Sequence, residues 1–250
     1  MSIENYLQTE CKILEYDCLT STNDAAKELG LQNAKENTVI IAKRQTNGRG
    51  RLGRTFFSPE QSGIYMSILL RPEFSPENAT LITPAAAVAV SEAIDEICGI
   101  NTKIKWVNDI YKNGKKVCGI LSESTFTGNG YFTILGIGIN LYLPESDFPK
   151  DIKDIADAVF QAQPNEEIKN KLIAKIIDNF NFYYKKLLDK EFLTVYREKS
   201  NLIGKEIKYL KDKKEIFATV LGIDDNAHLI VDINGTTEHL FMGEVSVKIK

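Results

Sequence analysis

The segment Arg44-Gln45-Thr46-Asn47-Gly48-Arg49-Gly50-Arg51-Leu52-Gly53-Arg54 sets four arginines among three glycines. Arginine carries a fixed charge on a fork of donors, and glycine lets backbone N–H groups turn toward an anion. Such a loop can wrap a phosphate; the plainer reading is a solvated basic loop. Gly48, Gly50 and Gly53 also satisfy G-x-G-x-x-G, but that fingerprint works only where a helix starts at the loop, its N-terminus on a pyrophosphate. Here Phe56-Phe57-Ser58-Pro59 and then a strand follow, so the dinucleotide mechanism is missing. A kinase glycine loop is excluded because neither HRD nor DFG follows.

Two further segments could do chemistry. Lys105-Trp106-Val107-Asn108-Asp109 ends a strand on a polar corner, and Lys115-Lys116-Val117-Cys118-Gly119-Ile120-Leu121 enters the next strand after Asn113-Gly114. Strict alternation would put Lys116 on the same face as Cys118. A lysine entering a buried strand either snorkels to water or is held against an anion. Gly119, Gly136 and Gly138 interrupt apolar strands, where glycine weakens a sheet, so either a ligand lies on the backbone there or a helix packs closely against it. Ser21-Thr22-Asn23 reads by itself as a helix cap. His228 and His239 are the only histidines, and no H-E-x-x-H or carboxylate–His–Cys pattern predicts a protein-bound catalytic metal. There is no G-x-S-x-G elbow for a serine hydrolase.

The elements that must position these residues follow from periodicity and turn chemistry. Strands are expected at 11–17, 38–42 and 64–70, and a capped helix at 25–29 closed by Gly30. Residues 43–62 form a long loop, and the alanine-rich run 77–97 a buried helix. Strands at 103–107, 117–126 and 131–139 come next, with Asn113-Gly114 as a hairpin turn. An amphipathic helix over 164–190 carries Ile168, Leu172, Ile176, Phe180 and Tyr184 on one stripe. A short helix follows at 191–200. Five short strands at 206–210, 216–222, 228–232, 236–241 and 245–249 suggest a small SH3-like barrel, with the boundary near Ser200.

Composition sets the frame. The chain has 250 residues, 43% hydrophobic and 26% charged, which suits a folded protein. Its net charge of −3 gives no general pull on nucleic acid. Cys11, Cys18, Cys98 and Cys118 have no C-x-x-C spacing and read as reduced thiols of a cytoplasmic protein. The N-terminus has no signal-peptide core, and no apolar run is long enough for a membrane helix.

Together these segments resemble the biotin–protein ligase family, in the family's order. Ser21-Thr22-Asn23 comes first, then the 44–54 loop, Lys105-Trp106-Val107-Asn108-Asp109, Lys116-Val117-Cys118-Gly119-Ile120-Leu121 and Gly136-Ile137-Gly138-Ile139-Asn140. The terminal Gly243-Glu244-Val245-Ser246 is similar to the end of the family's C-terminal barrel. The loop and the corner are the specific parts. Val107 departs from the family's usual proline, which changes corner stiffness but removes no functional group. Ser21 comes too early to leave room for the DNA-binding domain of some members, so no repressor role and no DNA partner are implied.

The resemblance implies an α+β fold: a catalytic domain over 1–200 related to class II aminoacyl-tRNA synthetases, a mixed sheet flanked by helices, and an SH3-like domain over 201–250. It implies formation of biotinyl-adenylate from biotin and ATP with magnesium, then transfer to a lysine of a biotin carboxyl carrier domain. Ser21, Thr22, Asn23, Gln45, Arg49, Gly50, Arg51, Lys116, Gly119, Gly136 and Gly138 would line the biotin site. Gly48, Arg49, Arg51, Arg54, Asn108, Lys116 and Asn140 would meet ATP, with Lys116, Arg51 and Asp109 in catalytic roles. A homodimer is left open, since sheet-edge dimers are common among relatives. Two alternatives fare worse. A lipoate ligase would carry an R-R-x-S-G-G-G loop that is absent here, and an RNA-binding module would need a wider basic face.

Overall fold

The computed structural model describes residues 2–128, 130–211, 214–241 and 248–249. Seven strands form the main sheet: β1 (Lys12–Leu19), β2 (Thr38–Gln45), β3 (Gly63–Leu70), β4 (Lys103–Lys105), β5 (Asp109–Lys112), β6 (Lys115–Thr127) and β7 (Gly130–Asn140). Their order is β1-β2-β3-β7-β6-β5-β4. Only β1 and β2 run parallel, because helix α1 (Thr22–Leu31) crosses between them; every other pair is antiparallel. The α+β class and the mixed sheet are thus as the sequence implied.

Both faces of the sheet are covered, which explains why the central strands read as continuous apolar runs. Along β2 and β3, Val39, Ile41, Ile64, Met66, Ile68 and Leu70 face the main core beneath α2 (Ile82–Cys98) and α3 (Glu166–Lys185). Ile40, Leu69, Phe132 and Ile134 face the other way, into a smaller cluster with Ala26 of α1. Buried Ala85, Ala86, Ala87 and Ala89 let α2 sit close to the strands. Gly99, in left-handed conformation at φ 66°, caps α2, as a Cβ-free residue does best.

Several boundaries differ from the sequence reading for physical reasons. Gly30 does not close α1. It lies within the helix, where an added Cβ would meet the Phe132 ring at 2.5 Å; its smallness serves packing. A 3₁₀ turn over Asn78–Leu81 precedes α2. α3 starts after Asn165, whose side chain accepts from Glu167 N, and another 3₁₀ turn at Leu187–Asp189 separates it from α4 (Phe192–Lys199). Strand β4 stops at Lys105 and the chain turns over Trp106–Asn108 into β5, so the expected strand at 103–107 is shorter. The Trp106–Val107 peptide is cis. Asn113 and Gly114 have φ of 50° and 80°, the pair of positive values that a tight hairpin needs.

The C-terminal sheet has order β11-β10-β9-β8-β12, all antiparallel, from β8 (Glu206–Lys211), β9 (Lys214–Ile223), β10 (Leu229–Ile233), β11 (Thr236–Leu240) and β12 (Lys248–Ile249). The start of the expected strand 245–249 and the Gly243–Ser246 motif lie outside the described residues. Buried side chains run without a break from Phe192 and Tyr196 through Leu202 to Ile207 and Ala218, so the small sheet shares the main core. Among the described residues no helix is long and apolar enough to cross a membrane, and the four cysteines are free.

Candidate active site

On the α1 side of the sheet, a cavity of about 480 Å³ opens beside the start of that helix. It is lined by Ser21, Thr22, Asn23, Gln45, Arg49, Gly50, Arg51, Arg54, Asn108, Asp109, Lys116, Gly119, Gly136, Gly138 and Asn140. Of the residues that the resemblance assigned to biotin, ATP or catalysis, only Gly48 is not part of the wall. A Cβ there would overlap the Phe56 carbonyl and Ser58 Oγ, so this glycine permits the loop to fold on itself.

One end of the cavity is a polar network. Ser21 caps α1, its Oγ accepting from Asn23 N at 3.2 Å. Thr22 N and Oγ1 both donate to Gln45 Oε1, at 2.8 and 3.2 Å, and Gln45 Nε2 donates to Ser58 Oγ at 2.9 Å. Ser67 Oγ lies 2.8 Å from Thr22 Oγ1 and 2.7 Å from Asn23 Oδ1, and Asn23 Nδ2 donates to Glu123 Oε2 at 2.8 Å. The helix cap is therefore real, and the same residues face the cavity. Ser67, fully buried, escaped the sequence reading. It is the one serine inside an otherwise apolar and aromatic strand, and that was the available signal.

The floor explains the strand glycines. Gly119 and Gly138 sit opposite each other in the β6–β7 register. An added Cβ would come within 3.3 Å of the Phe56 ring at Gly119 and within 2.7 Å at Gly138, while at Gly136 it would overlap Asn23 Oδ1. Side chains of the loop and of α1 lie on the backbone there. Phe56, Phe57 and Tyr111 also line the cavity; the sequence reading used Phe56 and Phe57 only to argue that no helix begins.

The loop is a folded-over hairpin. Arg49 pairs with Thr55 as an antiparallel bridge, Phe56 N donates to Gly48 O at 2.8 Å, and Gly50 N donates to Arg54 O at 2.7 Å. Leu52 and Gly53 take φ of 55° and 72° at the tip. Arg49 bridges Asp24 at 2.7 Å and Glu123 at 2.9 Å, and the Asp24 hydrogen bond leads in holding its guanidinium above the ordinary value. Arg51 points inward. Its Nη1 donates to Asn108 Oδ1 at 3.1 Å, and its buried Nη2 has no partner among the described residues. Burial pulls this guanidinium below its ordinary value, against the Asp109 charge.

Lys116 reaches the same space through an irregularity in β6. Ile110 pairs with Cys118 and Tyr111 with Lys116, so Val117 is an extra residue, a β-bulge. Val117 and Cys118 both enter the core while Lys116 turns to the Gly119 side, its Nζ 3.0 Å from where a Gly119 Cβ would be. The expectation that Lys116 and Cys118 share a face is corrected: bulges re-aim side chains in this way. Lys116 Nζ lies 2.7 Å from Asp109 Oδ1, an ion pair by distance whose angle is outside hydrogen-bonding geometry, and both side chains remain partly exposed.

The corner is held from behind. Asn108 Nδ2 donates to Ile120 O at 2.8 Å, Tyr196 Oη to Val107 O at 2.9 Å, and Trp106 Nε1 to Ala227 O, in the turn between β9 and β10, at 2.9 Å. Asn140 Nδ2 donates to Asp157 O at 3.0 Å, which leaves its Oδ1 for the cavity. Five cationic side chains, Arg49, Arg51, Arg54, Lys105 and Lys116, beside a polar cradle and a partly covered floor can join a small polar molecule to a phosphate ester.

Comparison with known proteins agrees with this chemistry. Residues 15–140 match the biotin/lipoate A/B protein ligase family. The chain is 34% identical to the bifunctional ligase/repressor BirA of Bacillus subtilis, over 94% of this chain and 74% of that protein. It is 27% identical to the biotin–[acetyl-CoA-carboxylase] ligase of Mycobacterium tuberculosis, over 84% of this chain and 79% of that one. The biotin protein ligase of Aquifex aeolicus, solved in complex with biotin and ATP, superposes with a TM-score of 0.77 at 29% identity, over 96% of this chain and 99% of that one. By motif order, by fold and by these relatives, the chain belongs to the biotin/lipoate A/B protein ligase family, among its biotin–protein ligases.

Proposed function

We propose that the chain activates biotin with ATP and passes it to one lysine of a biotin carboxyl carrier domain; in support, one relative is named a biotin–[acetyl-CoA-carboxylase] ligase and another is solved with biotin and ATP. The biotin carboxylate oxygen attacks the α-phosphorus, and the bond to the β-phosphate breaks with pyrophosphate leaving. The acceptor amine then attacks the acyl carbon, the bond to AMP breaks, and the amine proton passes to a base, a role assigned here to Asp109. The observation that carries the reading is one cavity holding Arg51, Arg54 and Lys116 beside the Ser21–Gln45 network.

Residues 1–200 carry the chemistry and 201–250 brace the corner. The Ser21, Thr22, Asn23 and Gln45 groups suit the ureido ring and the Gly119, Gly136 and Gly138 floor its bicycle. The unpartnered Arg51 Nη2 suits an anionic oxygen. Magnesium would arrive with the triphosphate, and Asn140 Oδ1 is an oxygen donor of the kind that ion prefers. The test mixes the purified protein with Mg-ATP, biotin and a carrier domain, and weighs the carrier by mass spectrometry. One biotin on one lysine is the expected product; a carrier acylated only when lipoate replaces biotin would overturn the reading.

A further inference from the structure

Among the described residues, one group of three metal-binding side-chain types brings its donor atoms together: Asp224, His228 and His239, all within 4.8 Å. It lies outside the cavity, where the β9–β10 turn meets β11. Asp224 Oδ1 accepts Asn226 N at 2.8 Å and His228 N at 2.9 Å, so the turn fixes the carboxylate. Its Oδ2 lies 3.0 Å from His228 Nδ1 and 2.9 Å from His239 Nδ1. Both imidazoles therefore present the same ring nitrogen to one carboxylate oxygen. Phe241 packs on the His228 ring with centroids 4.4 Å apart, which holds its plane. Burial opposes the Asp224 charge, but backbone and imidazole donors outweigh it and keep this carboxyl below the ordinary range.

We propose that Asp224, His228 and His239 form a site for a divalent transition-metal ion, zinc above all. Two imidazoles and one carboxylate are the donor set of borderline ions, whereas calcium and magnesium take oxygen almost throughout. Neighbouring donors around an ion bonded at about 2.1 Å sit roughly 3.0–3.4 Å apart; the two imidazole–carboxylate spacings are 3.0 and 2.9 Å, and all three donor atoms lie within 4.8 Å of one another. His239, with 46% of its side chain exposed, opens the site to solvent, so water completes the coordination. The ion links the turn to β11 and so clamps Ala227, whose carbonyl takes the Trp106 indole behind the cavity corner. Its role is structural, and its binding adds to folding stability.

The plainer reading is two imidazoles hydrogen-bonded to one carboxylate, and a titration separates the two. Metal-stripped, untagged protein is titrated with zinc chloride by calorimetry, and Tm is followed in parallel. The wild type should take up zinc saturably, one ion per chain, with a rise in Tm. His239→Gln, a change at a half-exposed position, should fold normally and lose both. No saturable uptake by the wild type would overturn the proposal. So would undiminished uptake by His239→Gln, since the zinc would then be held elsewhere, for instance by cysteines.

Discussion

Arg51 Nη1 donates to Asn108 Oδ1 across 3.1 Å, and this hydrogen bond joins the glycine–arginine loop to the corner after β4. The two segments lie 57 residues apart, and the contact turns them into opposite walls of one cavity. Nη2 of the same guanidinium is buried and unpartnered among the described residues. A buried donor left this way costs free energy, which an anionic oxygen would recover.

Arg51→Gly should therefore loosen the loop more than it destabilises the fold. The loop then covers the adenylate poorly, and the reactive anhydride escapes to acylate lysines without selection. Incubating the variant with ATP, biotin and an unrelated lysine-rich protein should label that protein. Labelling confined to the carrier domain would mean that the loop does not act as a cover.

Lys116→Ala should slow adenylate formation about a hundredfold, on the order of 3 kcal/mol, because a positioned cation at developing phosphate charge is lost. Circular dichroism should still report a folded protein. A near-normal rate in single-turnover kinetics would reduce Lys116 to a partner that balances Asp109.

Gly136→Ala should destabilise the protein by about 1–3 kcal/mol, since the methyl group must displace the Asn23 amide. The cost should shrink when Asn23→Ala is combined with it, as coupled neighbours require. Urea denaturation of the two single variants and the double variant measures this. Strict additivity would contradict the contact.

The thiols should differ in reactivity. Burial pushes Cys11 and Cys98 up to about 11, so at pH 8 both are almost wholly protonated and poor nucleophiles. Cys118 is buried and pushed up further, while Cys18 is exposed. Iodoacetamide should label Cys18 first, with Cys11 and Cys98 gaining reactivity only as pH rises toward their titration. Equal rates at pH 8, read by mass spectrometry, would contradict these environments.

The sequence was legible where chemistry and spacing are local. The loop, the corner and the Ser21–Asn23 cap could each be read from residue types, and they meet in one cavity. What could not be read depends on register and on contacts across the sheet. The Val117 bulge that turns Lys116 to the cavity exists only in the pairing of β5 with β6. Gly30 reads as a helix end until Phe132, a hundred residues on, is seen against it. The bond from Trp106 to Ala227 depends on how the C-terminal sheet docks, which no local pattern carries.

On the proposed function, this cavity joins biotin, and not another acid, to the α-phosphate of ATP. Exchange of labelled pyrophosphate into ATP by the purified protein tests it most directly, because exchange requires a reversible adenylate. Exchange should depend on biotin, fail with lipoate, and fall about a hundredfold in Lys116→Ala. Exchange driven by lipoate alone, or none with either acid, would contradict it.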